Sequence, residues 1–443
     1  MARSRPAHAK SSGRALGVLA ACVVAALLGS WLAVAVVHNL PDAVASGPTS
    51  SPSASDQTAT GQPAPPSQSP SPTPTETVDP TVEFSLVAAG DVLPHQPVLD
   101  SARKGSRYNF APMFAPTKPY LQGADIALCH LEVPVAPPGT NTSTYPMFGA
   151  PAKLVADLGD AGWDGCSTAS NHSVDRGFAG LKATLNAFQK ADMGHAGTAR
   201  TKEESTQVQF YNVVEGDRTV KVAHISYTYG LNGLPKPEGK PWSVNVFNAD
   251  DANVAPILKA AKNARTDGAD IVIASVHCCV EYVTQPTPTQ KLIVKQIADS
   301  GLVDLYIGHH AHVPEPIVEL EGGPGGNGMW VAYGLGNFLS NQDGSTVGVP
   351  ETANGLMLRA TFTVTPDDVV DVDVGWTAVT VDRTSGHVVY PISKNSGAVG
   401  NLSASTVKAR WKLVAAAVGK AAPEIKAPGE PLADEVTHNT RTR

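Results

Sequence analysis

The chain has 443 residues, 42% of them apolar and 16% charged, with a net charge of −7 at neutral pH. That length fits two or three domains of ~100–200 residues or a single large one, and the apolar share excludes a chain that is disordered throughout. No basic stripe stands out, so the sequence offers no electrostatic footprint for nucleic acid.

Residues 1–14 form a basic tail carrying Arg3, Arg5, Lys10 and Arg14, and residues 15–37 contain no charge at all. A bilayer core needs ~20 apolar residues, whereas the apolar stretch of a cleavable signal runs to about 7–15. The segment therefore reads as a single-pass transmembrane signal anchor, basic end in the cytoplasm and the remainder extracytoplasmic. Cleavage at Ala43-Val44-Ala45 and a lipoprotein box ending at Cys22 are the alternatives. Residues 46–80 are rich in Pro, Ser and Thr with almost nothing to bury. They read as a disordered, extended linker holding a globular part away from the cytoplasmic membrane.

The globular part is expected over residues 81–402. Strands are predicted at 82–89, 125–129, 165–169, 220–226, 270–276, 302–307 and 329–333, each a β-rich apolar run. Helices are predicted at 152–161, 178–188, 251–265 and 288–300, with part of 110–121 helical, from apolar residues at three- and four-residue steps. Two antiparallel strands follow at 355–364 and 369–379. The alternation implies an α/β fold with mostly parallel strands. Residues 403–443 read as one helix and a polar, frayed tail.

Polar residues fall just past the carboxyl ends of these strands: Asp91, Glu132, Asn171, His172, His277, His310 and His312. In open α/β sheets the ligand site lies there, and Asp, Glu, Asn and His suit a divalent ion such as Mn, Fe, Zn or Mg. The cysteines Cys22, Cys129, Cys166, Cys278 and Cys279 are not spaced as a zinc ribbon or a dense disulfide framework. Buried free thiols are expected, with one disulfide as the alternative.

Six segments carry a resemblance: Ala89-Gly90-Asp91-Val92, His130-Leu131-Glu132, Ala169 to Gly177, His277 to Tyr282, Ile307 to Val313 and Tyr333 to Phe338. Over residues 82–340 the chain resembles the CapA proteins of poly-γ-glutamate capsule biosynthesis, a family similar in fold to calcineurin-like metallophosphoesterases. The resemblance implies a four-layer α/β/β/α sandwich with two metals over the sheets. It makes Asp91 the first-strand carboxylate, Glu132 the bridging ligand and Asn171, His277, His310 and His312 further ligands. His172 becomes the general acid and Asp175 the group that orients it. It also implies capsule-synthesis membrane proteins as partners and an anionic polymer or phosphoester as substrate. His309 in place of His310 is the open alternative.

Against the phosphoesterase pattern Asp-x-His, Asp91 is followed by Val92 and Leu93, so one metal position lacks its histidine; His95 is a candidate substitute. One strong position (Glu132, Asn171, His277, His310) and one weak or vacant position (Asp91, His312) are expected. Cys278-Cys279 stand where many relatives have Trp-Gly, and either ligate a soft metal or pack. A divalent ion activates water and polarises a phosphoryl or carbonyl oxygen, so the expected chemistry is hydrolysis. Neither a Gly-x-Ser-x-Gly elbow nor a phosphate-binding glycine loop is present to support a serine hydrolase or a nucleotide-driven ligase.

Overall fold

The computed structural model describes residues 80–441. The expected membrane span 15–37, and the expected linker as far as residue 79, lie outside them. Among the described residues no helix is long and apolar enough to cross a membrane.

In chain order the elements are β1 (Val82–Val92), α1 (Gln96–Ala102), β2 (Arg103–Lys104), β3 (Arg107–Tyr108), α2 (Ala111–Phe114), α3 (Lys118–Gln122), β4 (Ile126–Leu131), α4 (Lys153–Ala161), β5 (Gly165–Ser167), α5 (Gly177–Lys190), β6 (Gly194–Ala196), β7 (Gln209–Glu215), β8 (Arg218–Thr228), α6 (Ala255–Thr266), β9 (Ile271–His277), α7 (Pro288–Asp299), β10 (Leu305–His309), β11 (Ile317–Leu320), β12 (Met329–Ala332), β13 (Asn337–Leu339), β14 (Asn354–Val364), β15 (Val370–Asp382), β16 (Val388–Ile392), α8 (Ala404–Val418) and β17 (Glu435–His438). One sheet runs β16-β15-β14-β1-β4-β5-β6, with β13 also paired to β1; the other runs β11-β12-β10-β9-β8-β7-β17.

The two-residue period of the strands sorts these sheets into layers. Phe84 and Leu86 of β1, Ile126 and Leu128 of β4, Val222 of β8, Ile271 and Ile273 of β9, and Leu305 and Ile307 of β10 share one core cluster. That cluster is the layer between the sheets. The opposite faces pack on helices: Val87 and Ala89 lie with Leu154 of α4 and Leu185 of α5, and Val272 and Ala274 lie with Ile257 of α6 and Ile293 of α7. The order of layers is therefore helix, sheet, sheet, helix.

Two expectations change. The strands are not mostly parallel. β1, β4, β5 and β6 are parallel, as are β8, β9, β10 and β12, but β14–β16 and the pairs β7–β8, β7–β17 and β11–β12 are antiparallel. Hairpin-linked flanks extend each parallel centre, and β7, β11 and β16 were not foreseen. Nor is the C-terminal tail frayed as far as it is described, to residue 441. α8 buries Val407, Val414 and Val418 in the inter-sheet core, and β17 then pairs with β7 along its open edge, from Glu435 opposite Val214 to His438 opposite Tyr211.

Candidate metal centre

The inter-sheet layer changes from apolar to polar at the carboxyl ends of its central strands. On β4 the inward series Ile126, Leu128 continues to His130; on β10, Leu305, Ile307 continues to His309; on β9, Ile271, Ile273 continues through Ser275 to His277. Register places these ends side by side, His309 opposite His277 and Asp91 opposite both His130 and Asn337. Asp91 has the wrong parity for this face on a regular strand. A register shift between Ala88 and Asp91 turns it inward, as bulges do beside functional sites. Gly90 permits that approach, because a Cβ there would lie 2.0 Å from the carbonyl oxygen of Gly336.

The side chains converge closely. His312 Nδ1 is 3.0 Å from Asp91 Oδ2 and His309 Nδ1 is 3.4 Å from Asp91 Oδ1. His312 Nε2 is 3.7 Å from Glu132 Oε1, and His277 Nε2 is 4.0 Å from the same oxygen. A hydrogen-bonded chain runs behind them: Ser167 Oγ to His130 Nδ1 at 2.7 Å, His130 Nε2 to His277 Nδ1 at 3.0 Å, and His277 Nε2 to Asn171 Oδ1 at 3.0 Å. Asn337 holds His312 from behind, donating from Nδ2 to its carbonyl at 3.2 Å and placing Oδ1 3.1 Å from Nδ1. His310 and His312 have φ of 90° and 56°, a left-handed backbone that non-glycine residues hold only under constraint, often at functional sites.

Among the described residues, three sets of potential ligand atoms lie within 4.8 Å of one another: Asp91, His130 and His309; Asp91, Glu132 and His312; and Glu281, His310 and His312. Both oxygens of Asp91, both of Glu132, and the Nδ1 atoms of His309 and His310 are buried without a well-formed hydrogen bond. Orphaned buried carboxylates are costly. Their oxygens and imidazole nitrogens aimed into one space make the donor set of a divalent cation.

The electrostatics agree. Burial disfavours the charge of Asp91, yet His309 and His312 hold its pKa well below the usual value. Burial pushes Glu132 up to about 7 against the pull of His312, with Asp91 adding to the rise. Burial also keeps His130, His277 and His310 neutral, the last at about 3, and neutral imidazole is the ligating form. His312 is the exception: burial would lower it, but Glu132, Asp91 and Glu281 raise it to about 10. Its proton is the local counter-charge, one that an arriving cation would displace.

A cavity of about 760 Å³ opens over this cluster, lined by Asn171, His172, Glu281 and His312 together with His95, Phe148, Asn232 and Tyr282. No Lys or Arg is among its lining residues. His172 Nδ1 lies 2.7 Å from Asp175 Oδ2, an oxygen that also accepts the Phe148 N–H at 2.7 Å. The carboxylate thus takes Nδ1 and leaves Nε2 for the cavity.

Asp91, Glu132, Asn171, His277, His310 and His312 accordingly share one cluster, with the His172–Asp175 pair on the cavity wall beside it. Glu132, expected as the bridging ligand, lies between the two expected sets, with His277 at 4.0 Å on one side and Asp91 and His312 on the other. His309 and His310 both belong, the first beside Asp91, the second with its ring 4.6 Å from that of His277. His95 joins none of the three ligand sets; its ring packs on Phe148, centroids 5.5 Å apart. Among the described residues the cysteines are paired, Cys129 with Cys166 and Cys278 with Cys279, so for these four neither the free-thiol nor the soft-ligand expectation holds. His130 was not assigned from sequence, although strand parity through Ile126 and Leu128 points to it. Glu281 carried no periodic signal.

A family model, bacterial capsule synthesis protein PGA_cap, matches residues 85–342, more than half of the chain. The capsule biosynthesis protein CapA of Bacillus anthracis is 26% identical over 267 residues, covering 59% of this chain and 60% of that protein. The PGA biosynthesis protein CapA of Bacillus subtilis is 30% identical over 219 residues, covering 48% and 52%. A probable polyglutamine synthesis accessory protein of Mycobacterium tuberculosis is 24% identical over 183 residues, covering 40% and 46%. The chain thus spans roughly half to three fifths of the curated relatives it matches. A solved structure of a novel phosphatase from Mycoplasma pneumoniae covers 67% of this chain and 94% of its own at 13% identity, with a TM-score of 0.38. By the extent of the family match, this chain belongs to the bacterial capsule synthesis protein family PGA_cap.

Proposed function

We propose that this protein acts in the synthesis, export or processing of an anionic capsule polymer of the poly-γ-glutamate type. It does so as a metal-dependent hydrolase of metallophosphoesterase type, anchored by residues 15–37 and facing outward from the cell membrane beside capsule-synthesis membrane proteins. Membership of the PGA_cap family supports the process. One observation carries the chemistry: the carboxylate oxygens of Asp91 and Glu132 are buried without a well-formed hydrogen bond among converging imidazoles, one of which, His312, lines the cavity.

A divalent cation held by Asp91, Glu132, Asn171, His277, His310 and His312 would activate water and polarise the scissile group. The chain's own residues do the rest. His172, held by Asp175, carries a proton at Nε2 to the leaving atom, a role worth about 10²–10⁴-fold. Phe148 packs edge-on against the His172 ring, centroids 4.8 Å apart, and fixes its plane. Because the cavity lining has no Lys or Arg, substrate anions depend on the metal centre for counter-charge, and binding as well as turnover should require the cation.

The test uses the full chain in detergent, loaded with Mn²⁺, with poly-γ-glutamate chain length and release from an aryl phosphodiester as the two readouts. His172→Asn should keep its metal and lose about 10²–10⁴-fold in turnover on whichever substrate is cleaved. No turnover of either substrate by the metal-loaded wild type, or equal turnover by His172→Asn, overturns the hydrolase reading.

A further inference from the structure

We propose that Glu281 is a metal ligand: with His310 and His312 it forms an outer cation position on the cavity side of the cluster, supplying the donor that the sequence lacks at position 93. The inference rests on the metal-centre reading above and adds a residue to it. The wall that would otherwise offer a histidine carries Leu93, whose side chain lines the cavity. The nearest histidine in sequence, His95, is occupied elsewhere, with Nδ1 3.4 Å from the Asn341 N–H and its ring against Phe148.

Glu281 stands on the loop after β9, and that loop is tied to the histidine segment at both ends. Cys278 N–H donates to the His309 carbonyl at 3.2 Å, and Tyr282 N–H donates to the Ala311 carbonyl at 2.8 Å. Gln342 Nε2 donates to the Tyr282 hydroxyl at 3.1 Å. Tyr282 has φ of 65°, so the chain accepts a disfavoured backbone immediately after Glu281 as it does at His310 and His312.

The consequence is a carboxylate beside two imidazoles. Glu281 Oε1 is 3.9 Å from His312 Nε2, and one ligand atom each of Glu281, His310 and His312 fit within 4.8 Å. The same His312 Nε2 reaches Glu132 Oε1 at 3.7 Å, so this position adjoins Glu132. His310 Nδ1 is buried and unpartnered, an unfilled polar atom on a residue of this set that is observed independently of Glu281. The Glu281 side chain is 39% exposed, against 0% for Glu132; the outer position faces the cavity and has room for substrate. Exchanging a nitrogen donor for a carboxylate also favours harder ions such as Mn²⁺ or Mg²⁺ over softer ones.

The test titrates the full chain, stripped with chelator in detergent, with Mn²⁺ and separately with Zn²⁺, reading stoichiometry by elemental analysis and affinity by calorimetry. Glu281→Gln should weaken the weakest-held equivalent by at least ~10-fold, the lower end of what losing even a supporting partner costs, without changing the circular dichroism spectrum. Glu281→His, which restores a donor without the charge, should recover most of that affinity. Wild-type titration by Glu281→Gln overturns the proposal, as does a Glu281→His variant as weak as Glu281→Gln, because charge rather than ligation would then be responsible. A wild type that binds neither cation overturns the metal centre itself, a separate failure.

Discussion

Two buried polar clusters in this molecule solve the same problem in opposite ways. Around Glu204, the carboxylate takes Arg200 Nε at 3.0 Å and the Arg200 backbone N–H; Arg200 Nη1 reaches Gln189 Oε1 at 2.8 Å; and Arg441 donates to the carbonyls of His195 at 2.9 Å and Glu204 at 2.6 Å. Both Glu204 oxygens are satisfied, and Arg441 Nε is the group left over. Around Asp91 and Glu132, four carboxylate oxygens have no proper donor. Both carboxylates in the second cluster are fully buried, as is Glu204. Buried charge is tolerated when paired and costly when not. The first cluster is thus complete as folded and fastens the C-terminal tail, while the second is complete only with a ligand.

The largest difference should come from one substitution made in each cluster. Glu204→Gln leaves Arg200 and Arg441 buried without their counter-charge and should cost roughly 3–5 kcal/mol. Glu132→Gln, measured in chelator, removes a buried carboxylate with no well-formed hydrogen bond whose one charged neighbour, His312, keeps Asp91 at 3.0 Å, and should cost far less. Urea unfolding midpoints of the two variants against wild type check this; an equal loss in both would erase the distinction.

Adding the cation should narrow the gap from the other side. A ligand bound only by the folded state at ~100 times its Kd contributes about 2.7 kcal/mol. Mn²⁺ should therefore raise the thermal midpoint of wild type and of Glu204→Gln alike, and leave Asp91→Asn close to its chelated value. A Mn²⁺ shift undiminished in Asp91→Asn would place the cation elsewhere.

The two clusters also differ in how far they can be read from sequence. Strand ends are visible because an apolar run stops at a polar residue, which is how Asp91, Glu132, His277 and the His310/His312 segment stand out. Parity sharpens this for His130 and His309, each two residues beyond an inward Leu or Ile. It misleads for Asp91, where a bulge resets the face. Glu281 depends on main-chain ties to residues about thirty positions later, and no local period encodes them. The Glu204 cluster was invisible for another reason. β17 is an edge strand whose side chains are half-buried or exposed, so its residues look like tail, and Arg is rarely found fully buried. The pairing of Cys129 with Cys166 follows from their being opposite each other on β4 and β5, a fact of register rather than spacing.

The smallest expected effect is a slope, and it tests whether the tail cluster depends on a neutral histidine. His195 Nε2 is 3.5 Å from Glu204 Oε1, and its Nδ1 lies 3.2 Å from Arg441 Nη1. Burial lowers its pKa to about 4, outweighing the attraction of Glu204. The unfolded chain, with an ordinary value near 6.5, binds the extra proton first as pH falls. Stability from this residue is therefore fully present above pH 6.5 and lost progressively down to about pH 4, by at most ~1.4 kcal/mol per pH unit for one proton. Burial opposes the charge of Glu204, but His195 and Arg200 prevail and hold it at about 2, so its own contribution is lost in a lower window, from about 4.5 downward. Other buried histidines, such as His224 at about 3, share the upper window, so the informative quantity is the difference between wild type and His195→Gln, both in chelator. That difference in unfolding free energy should change steadily between pH 6.5 and 4 and level off above pH 6.5. A flat difference across the window would mean that His195 titrates alike folded and unfolded, and that the tail is held by the arginines alone.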